Sequence, residues 1–122
     1  MFQEHVISMF EPLGKLFHGD RQKVCHALKV FQRVTRDDLQ RLDAAHAAGD
    51  WAEVGRLMHK MKSGCMQIGE IAAVEALTDV EHELAASRRN GQLETTFLRA
   101  RSEMQRVQER VAGYLAAEHD RC

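Results

Sequence analysis

Apolar residues recur at every third or fourth position along four long stretches of the chain, and this spacing constrains the fold more than any other feature. In the clearest stretch, residues 20–48, the residues at these steps are Val24, Leu28, Phe31, Thr35, Leu39, Leu42 and Ala45. This is the period of an α-helix with one buried face, whereas a half-buried strand would alternate at every second residue. The only proline is Pro12, so no proline interrupts these stretches. The sequence therefore predicts an all-α fold.

Turn and capping residues divide the chain into separate helices. Gly19 and Gly49 can adopt the left-handed conformation that ends a helix. Asp20 and Asp50 follow them as N-caps, and Glu53 completes a capping box with Asp50. The helices expected from these signals cover residues 12–18, 20–48, 51–68, 71–89 and 93–118.

The connections between the predicted helices are short. Asn90-Gly91, for example, is a strong turn signal between the last two helices. Short connections imply that consecutive helices run antiparallel, which predicts an up-down antiparallel four-helix bundle. The short helix that begins near Pro12 would cover one end of this bundle.

Size and composition exclude several classes of protein. At 122 residues, with 44% hydrophobic and 29% charged residues, we expect a single globular domain over residues 1–122. The formal net charge of −1 provides no field to attract nucleic acid or an anionic membrane. No apolar run approaches the roughly 20 residues needed to span a bilayer, and no signal peptide is apparent. We therefore expect a cytoplasmic monomer that does not contact nucleic acid or the membrane directly.

The three cysteines, Cys25, Cys65 and Cys122, show no Cys-x-x-Cys spacing and cannot all pair with one another. We expect reduced thiols rather than a disulfide framework or a zinc site. The histidines likewise lack the His-x-x-x-His and Glu-x-x-His spacings with which a helical bundle holds a metal, so no metal site is expected.

Helical phasing of residues 51–68 places a histidine opposite the buried face. With Met61 at zero and roughly 100° per residue, the residues within roughly 60° of it are Val54, Leu57, Met58, Cys65 and Ile68. His59 falls at roughly 160°, with Ser63 one turn later on the same outward face and Lys62 at its flank. An exposed histidine on a helix is most often only a solvated residue. Whether His59 is a solvated residue or a functional one has to be judged from the residues around it.

The residues around His59 are those that a phosphoryl acceptor needs. A neutral imidazole is nucleophilic near pH 7 and can hold a phosphoryl group as a phosphoramidate. Gly55, one turn before His59, leaves room on one side of it. Arg56, Lys60 and Lys62 make the local field positive, and the ammonium of Lys62 can offset the added negative charge.

Residues 59–69, with the sequence HKMKSGCMQIG, resemble the signature of histidine-containing phosphotransfer (HPt) domains, His-x-(Leu/Met)-Lys-Gly-(Ser/Ala)-(Ser/Ala)-x-x-(Leu/Ile)-Gly. The matching residues are His59, Met61, Lys62, Ile68 and Gly69, and Cys65 is small where a small residue is expected. Ser63 stands where the family usually has Gly, and Gly64 where it usually has Ser or Ala. The segments 17–21, 47–50 and 88–91 also resemble family turns, so residues 8–118 can be laid on an HPt core.

The resemblance implies a phosphorelay intermediate. His59 would accept a phosphoryl group on Nε2 from the aspartyl phosphate of a receiver domain and pass it to an aspartate of another receiver. Response-regulator receiver domains and a hybrid sensor histidine kinase are the implied partners. The receiver would supply Mg²⁺, so no cofactor is expected on this chain. The residues expected to contact the partner are Gly55, Arg56, Lys60, Ser63, Met66 and Gln67.

The chain lacks a nucleotide-binding motif, so we expect a phosphoryl carrier and not an ATP-dependent kinase.

Two questions stay open at the level of sequence. The first is whether the chain is free-standing or forms the cytoplasmic end of a membrane-bound hybrid kinase. The alternative function is a helical protein–protein interaction module without phosphotransfer, in which His59 is incidental. The departure at Ser63 and Gly64 is the feature that favours this alternative.

Overall fold

The computed structural model of the protein describes residues 9–86 and 91–122. These residues form five α-helices, and neither described range contains a strand. The helices are α1 (Glu11–Leu16), α2 (Arg21–Ala47), α3 (Trp51–Ile68), α4 (Ile71–Ala85) and α5 (Gly91–Ala117), followed by a 3₁₀ turn at His119–Arg121. The prediction of an all-α fold is confirmed.

The predicted N-caps account for the starts of α2 and α3. The carboxylate of Asp20 accepts a hydrogen bond from the backbone N–H of Lys23 at 3.2 Å, and that of Asp50 accepts one from Glu53 at 3.1 Å. The second half of the predicted capping box does not form, because the backbone N–H of Asp50 donates instead to the carbonyl of Ala45. The helix α3 nevertheless has the bounds that the sequence predicts.

The remaining helix ends differ from the predictions by a few residues. The helix α1 begins one residue before Pro12 and ends at Leu16, and α5 begins two residues earlier than predicted, at Gly91. The regular part of α4 ends at Ala85. The predicted end of α4 at residue 89 and the predicted turn at Asn90 lie outside the described residues.

The four long helices form a bundle around one apolar core. The helix α2 packs against α3 and α5, and α4 packs against the same two helices, so that each long helix has two of the other long helices as neighbours. The largest side chains that are fully buried in the core include Leu28, Leu42, Leu57, Leu77, Phe97 and Met104. The helix α1 packs on α2 and α3, where Pro12 lies against Gly69 at the end of α3.

A disulfide bond joins Cys25, near the start of α2, to Cys122. The expectation of reduced thiols was therefore wrong for these two residues. They are 97 positions apart in sequence, but the end of α5 returns to the start of α2 and brings their Cα atoms within 5.6 Å. An ion pair between Arg21 and Glu118 joins the same two segments. Sequence spacing could not reveal this pairing because it depends on how the bundle closes.

The third cysteine, Cys65, is a buried free thiol. Its Sγ lies 3.5 Å from the sulfur of Met104 in the core. Burial raises the pKa of the Cys65 thiol to about 12. Cys65 is therefore a core residue of α3 and not a reactive group.

Within the described ranges, no helix has both the length and the apolar character required to cross a membrane.

Candidate functional site

His59 lies near the middle of α3, on the face opposite the core. Its side chain is 66% exposed, whereas Leu57, Met58 and Met61 beside it in sequence are buried. The helical phasing predicted this arrangement, and the prediction is confirmed. The imidazole is therefore fixed to a rigid helix and open to an approaching molecule.

One carboxylate from the neighbouring helix holds both His59 and Lys62. The Oε2 atom of Glu81 on α4 lies 2.8 Å from Nδ1 of His59. The Oε1 atom of the same residue lies 2.5 Å from Nζ of Lys62. The side chain of Glu81 is about a quarter exposed, so these contacts are partly shielded from solvent.

The charge of Glu81 determines which nitrogen of His59 is reactive. Partial burial opposes ionisation of Glu81, but the contacts with Lys62 and His59 outweigh it, so that the pKa of Glu81 lies below its usual range. At neutral pH the carboxylate can only accept hydrogen bonds. Nδ1 of His59 must therefore carry the proton, and in a neutral imidazole Nε2 then keeps its lone pair. The geometry makes Nε2 the nucleophilic atom.

Sequence reasoning missed Glu81, although the sequence contains a signal for it. His59 and Glu81 are equidistant from Glu70, at the connection between α3 and α4. In an antiparallel pair of helices, residues at equal distances from the turn lie at the same height. Helical phasing relates His59 only to residues of α3, so it does not reveal a partner on α4.

The predicted positive field around His59 was wrong, because each of the three cations lies against a carboxylate. Arg56 makes two contacts, at 2.5 Å and 2.9 Å, and Lys60 makes one at 3.0 Å. The carboxylate partners of Arg56, Lys60 and Lys62 are Glu53, Asp38 and Glu81, respectively. Two of these partners come from other helices, which explains why the residues of α3 alone suggested an excess of positive charge.

The other residues expected to contact a partner occupy different surroundings. Gly55 faces α4, where a Cβ atom would lie 3.2 Å from Cδ1 of Leu84, so its small size serves the packing of α3 against α4. Met66 is 59% exposed, two turns after His59 and on the same side of the helix. Gln67 is exposed as well. The roles of these residues in binding stay predictions.

The departure from the family signature at Ser63 and Gly64 has a structural counterpart. The hydroxyl of Ser63 donates a hydrogen bond to the backbone carbonyl of His59, at 3.3 Å. A Cβ atom at position 64 would lie 3.1 Å from Cε2 of Phe31 on α2. The glycine of this pair therefore admits an aromatic ring of the chain itself, while the serine occupies the surface beside His59.

An open groove of about 460 Å³ lies between α2 and α3 next to this pair. We call it the α2–α3 groove. Its walls are mainly apolar and include Val30, Phe31, Val34, Met61, Ser63 and Gly64. The groove adjoins the face of His59 through Ser63. A molecule that approaches His59 from the α2 side would thus meet an apolar surface.

Within residues 9–86 and 91–122, no three His, Cys, Asp or Glu side chains are placed so that they could hold a metal ion. The site consequently consists of an exposed imidazole, a carboxylate that orients it and an ammonium beside it. Such an arrangement can accept and release an electrophilic group on Nε2.

Comparison with known families identifies the chain. The family model described as Hpt domain matches residues 26–116, well over half of the chain, and this range includes His59, Lys62 and Glu81. No curated protein and no solved structure gave a significant match. The helical bundle, the outward histidine and the family match agree with one another. The chain belongs to the Hpt domain family, the histidine phosphotransfer domains of two-component phosphorelays.

Proposed function

We propose that this chain is a phosphorelay intermediate. His59 accepts a phosphoryl group from the aspartyl phosphate of one receiver domain and passes it to the aspartate of another. The observation that carries the proposal is the contact between Nδ1 of His59 and Glu81, since it leaves Nε2 as a free nucleophile on an exposed surface. Membership of the Hpt domain family supports the same chemistry.

The transfer step follows from the position of the proton. The lone pair of Nε2 attacks the phosphorus atom, and the bond from phosphorus to the aspartate oxygen breaks. The aspartate leaves as a carboxylate and requires no proton. The ring becomes positively charged because Nδ1 keeps its proton, and the carboxylate of Glu81 stabilises that charge. Transfer to a second receiver reverses these steps and restores the neutral imidazole.

Lys62 is the residue that we propose to compensate the charge of the phosphoryl group. It lies one turn from His59 and contacts Glu81, so the ammonium can share its interaction between the carboxylate and the phosphoryl oxygens. Mg²⁺ and the acidic residues that bind it would be on the receiver. The chain would act as a carrier without ATP-dependent kinase activity of its own.

The partners proposed are response-regulator receiver domains and a hybrid sensor histidine kinase, met by the chain as a monomer in the cytoplasm. The docking surface would surround His59 and include the partner-binding residues predicted from the sequence. Exposed Met66 on one side and the α2–α3 groove on the other supply apolar area for such a contact.

The test is transfer from a labelled phospho-receiver. We expect the wild-type chain to acquire label that is stable in base and lost in acid, as a phosphoramidate is, and His59→Gln to acquire none. His82→Gln, which changes another exposed histidine, is the matched control and should acquire label normally. Label on the His59→Gln variant would show that another residue is the acceptor.

The alternative is an interaction module without phosphotransfer, which the unusual Ser63-Gly64 pair favours. It predicts that no phospho-receiver gives an acid-labile adduct, while binding to a partner is indifferent to His59→Gln. The same experiment therefore separates the two functions.

A further inference from the structure

We propose that Ser63, together with the ring of Phe31 behind Gly64, selects which receivers can transfer to His59. The inference rests on the proposed function and concerns the specificity of that same site. It follows from the contacts of two adjacent positions on α3 and from their place between His59 and the α2–α3 groove.

The first step concerns Ser63. It is exposed and lies one turn after His59 on the same face of α3. Its hydroxyl donates to the carbonyl of His59, which holds the side chain close to the helix backbone. A partner that descends on Nε2 from this side meets the Cβ and Oγ atoms of Ser63 instead of bare backbone.

The second step concerns Gly64, the position that could have offered an alternative approach. The space where its Cβ would lie is bounded by Phe31, whose Cε2 atom is 3.1 Å from that point. Phe31 also lines the α2–α3 groove. The space left by the missing side chain at position 64 is thus occupied by the ring of Phe31. It does not give a partner closer access to α3.

The third step is the effect on the reaction. Phosphoryl transfer requires the reacting atoms to approach to about 3–3.5 Å, and a misplacement of about 1 Å can cost about 100-fold in rate. A receiver with a glycine, alanine or serine opposite Ser63 can reach this distance. A receiver with a bulky side chain there is held away from Nε2. Ser63 therefore selects receivers by rejecting those that do not fit.

The experiment measures the rate of label transfer to the chain from each phosphorylated receiver of a panel. We expect Ser63→Gly to reduce the ratio between the best and the poorest donor by about 10-fold or more, because the poor donors gain access. Ser63→Ala retains the Cβ atom and should retain the wild-type order of receivers. Ser102→Gly, at an exposed helical serine of α5, is the control for the weakening of a helix by glycine.

The outcomes distinguish this inference from the proposed function. If the wild-type chain accepts label from some receivers but Ser63→Gly changes all rates by the same factor, the selection by Ser63 is refuted and the relay function stands. If Ser63→Ala broadens the profile as much as Ser63→Gly, the hydroxyl is responsible and the explanation by the Cβ atom is wrong. If no receiver transfers label to the wild-type chain, the relay function itself fails.

Discussion

The carboxylate of Glu81 contacts two side chains that have different tasks, His59 and Lys62. It fixes the proton of the imidazole on Nδ1, and it holds the ammonium that we assign to the phosphoryl group. The outward direction of His59 could be predicted from helical phasing alone, because it depends on one helix. The role of Glu81 could not be derived in that way, because it depends on how α4 lies against α3.

Replacing Glu81 by Gln should slow the phosphorylation of His59 by about 10- to 100-fold, the equivalent of losing one charge-assisted hydrogen bond. An amide can either donate or accept, so it no longer fixes the proton on Nδ1. Initial rates of label transfer and the nitrogen NMR signals of the imidazole would report the two effects. Glu75→Gln, at an exposed position on the same helix, is the control. An unchanged rate and an unchanged tautomer would refute the positioning role.

The contacts of Glu81 also predict how its contribution to stability depends on pH. Burial raises the pKa of Glu81 in the folded protein, but the contacts with Lys62 and His59 outweigh burial. The pKa therefore lies below the value of about 4.5 expected in an unfolded chain. The contribution of Glu81 to stability is therefore complete above the pKa of the unfolded state and is lost as the pH falls through the pKa of the folded state. We expect the difference in unfolding free energy between the wild type and Glu81→Gln to shrink as the pH is lowered below the unfolded value of about 4.5. A difference that grows on acidification would contradict this.

At the scale of helices, most features that depend only on residues close together in sequence could be predicted. The starts of α2 and α3 follow from Asp20 and Asp50, whose carboxylates bond within their own first turns. The function of Gly64 could not be predicted, because it depends on a ring from another helix. From the sequence it was only a departure from a signature, whereas the structure shows it as a contact between α2 and α3.

This contact predicts that two helical glycines will respond differently to alanine. Gly113 on α5 has open space around its missing Cβ, so Gly113→Ala should raise the unfolding free energy by about 0.5–1 kcal/mol. Gly64→Ala should gain less, because the ring of Phe31 has to move. The comparison is made by denaturant unfolding and repeated in a Phe31→Leu background, where the two gains should become similar. Equal gains in the original background would mean that Phe31 does not constrain position 64.

At the scale of the whole molecule, the two ends of the described chain are fastened to each other. The disulfide between Cys25 and Cys122, the ion pair between Arg21 and Glu118 and the packing of Phe10 against Tyr114 lie at this junction. The all-α class was predictable from periodicity, since every helix reports its own buried face. The junction was not, because each of its contacts joins residues that are far apart in sequence.

Reduction of this disulfide should lower the thermal midpoint by on the order of 10 °C, since the bond closes a loop of 97 positions and restricts the unfolded chain. Scanning calorimetry with and without a dithiol reductant measures the shift. Cys122→Ser should show the midpoint of the reduced wild type in both conditions, because it cannot form the bond and therefore should not respond to the reductant. A wild-type midpoint that is indifferent to reduction would show that the bond does not contribute to stability.

The residues that perform the proposed chemistry, His59, Lys62 and Glu81, all lie on the hairpin of α3 and α4. The ring of Phe31, which we connect with the choice of partner, comes from α2. Ser63, the residue that we infer to select the partner, lies on this same hairpin, one turn after the histidine that reacts. If the inference holds, one substitution at position 63 changes the choice of receiver while His59, Lys62 and Glu81 stay in place, so recognition can change without any change in the reacting groups.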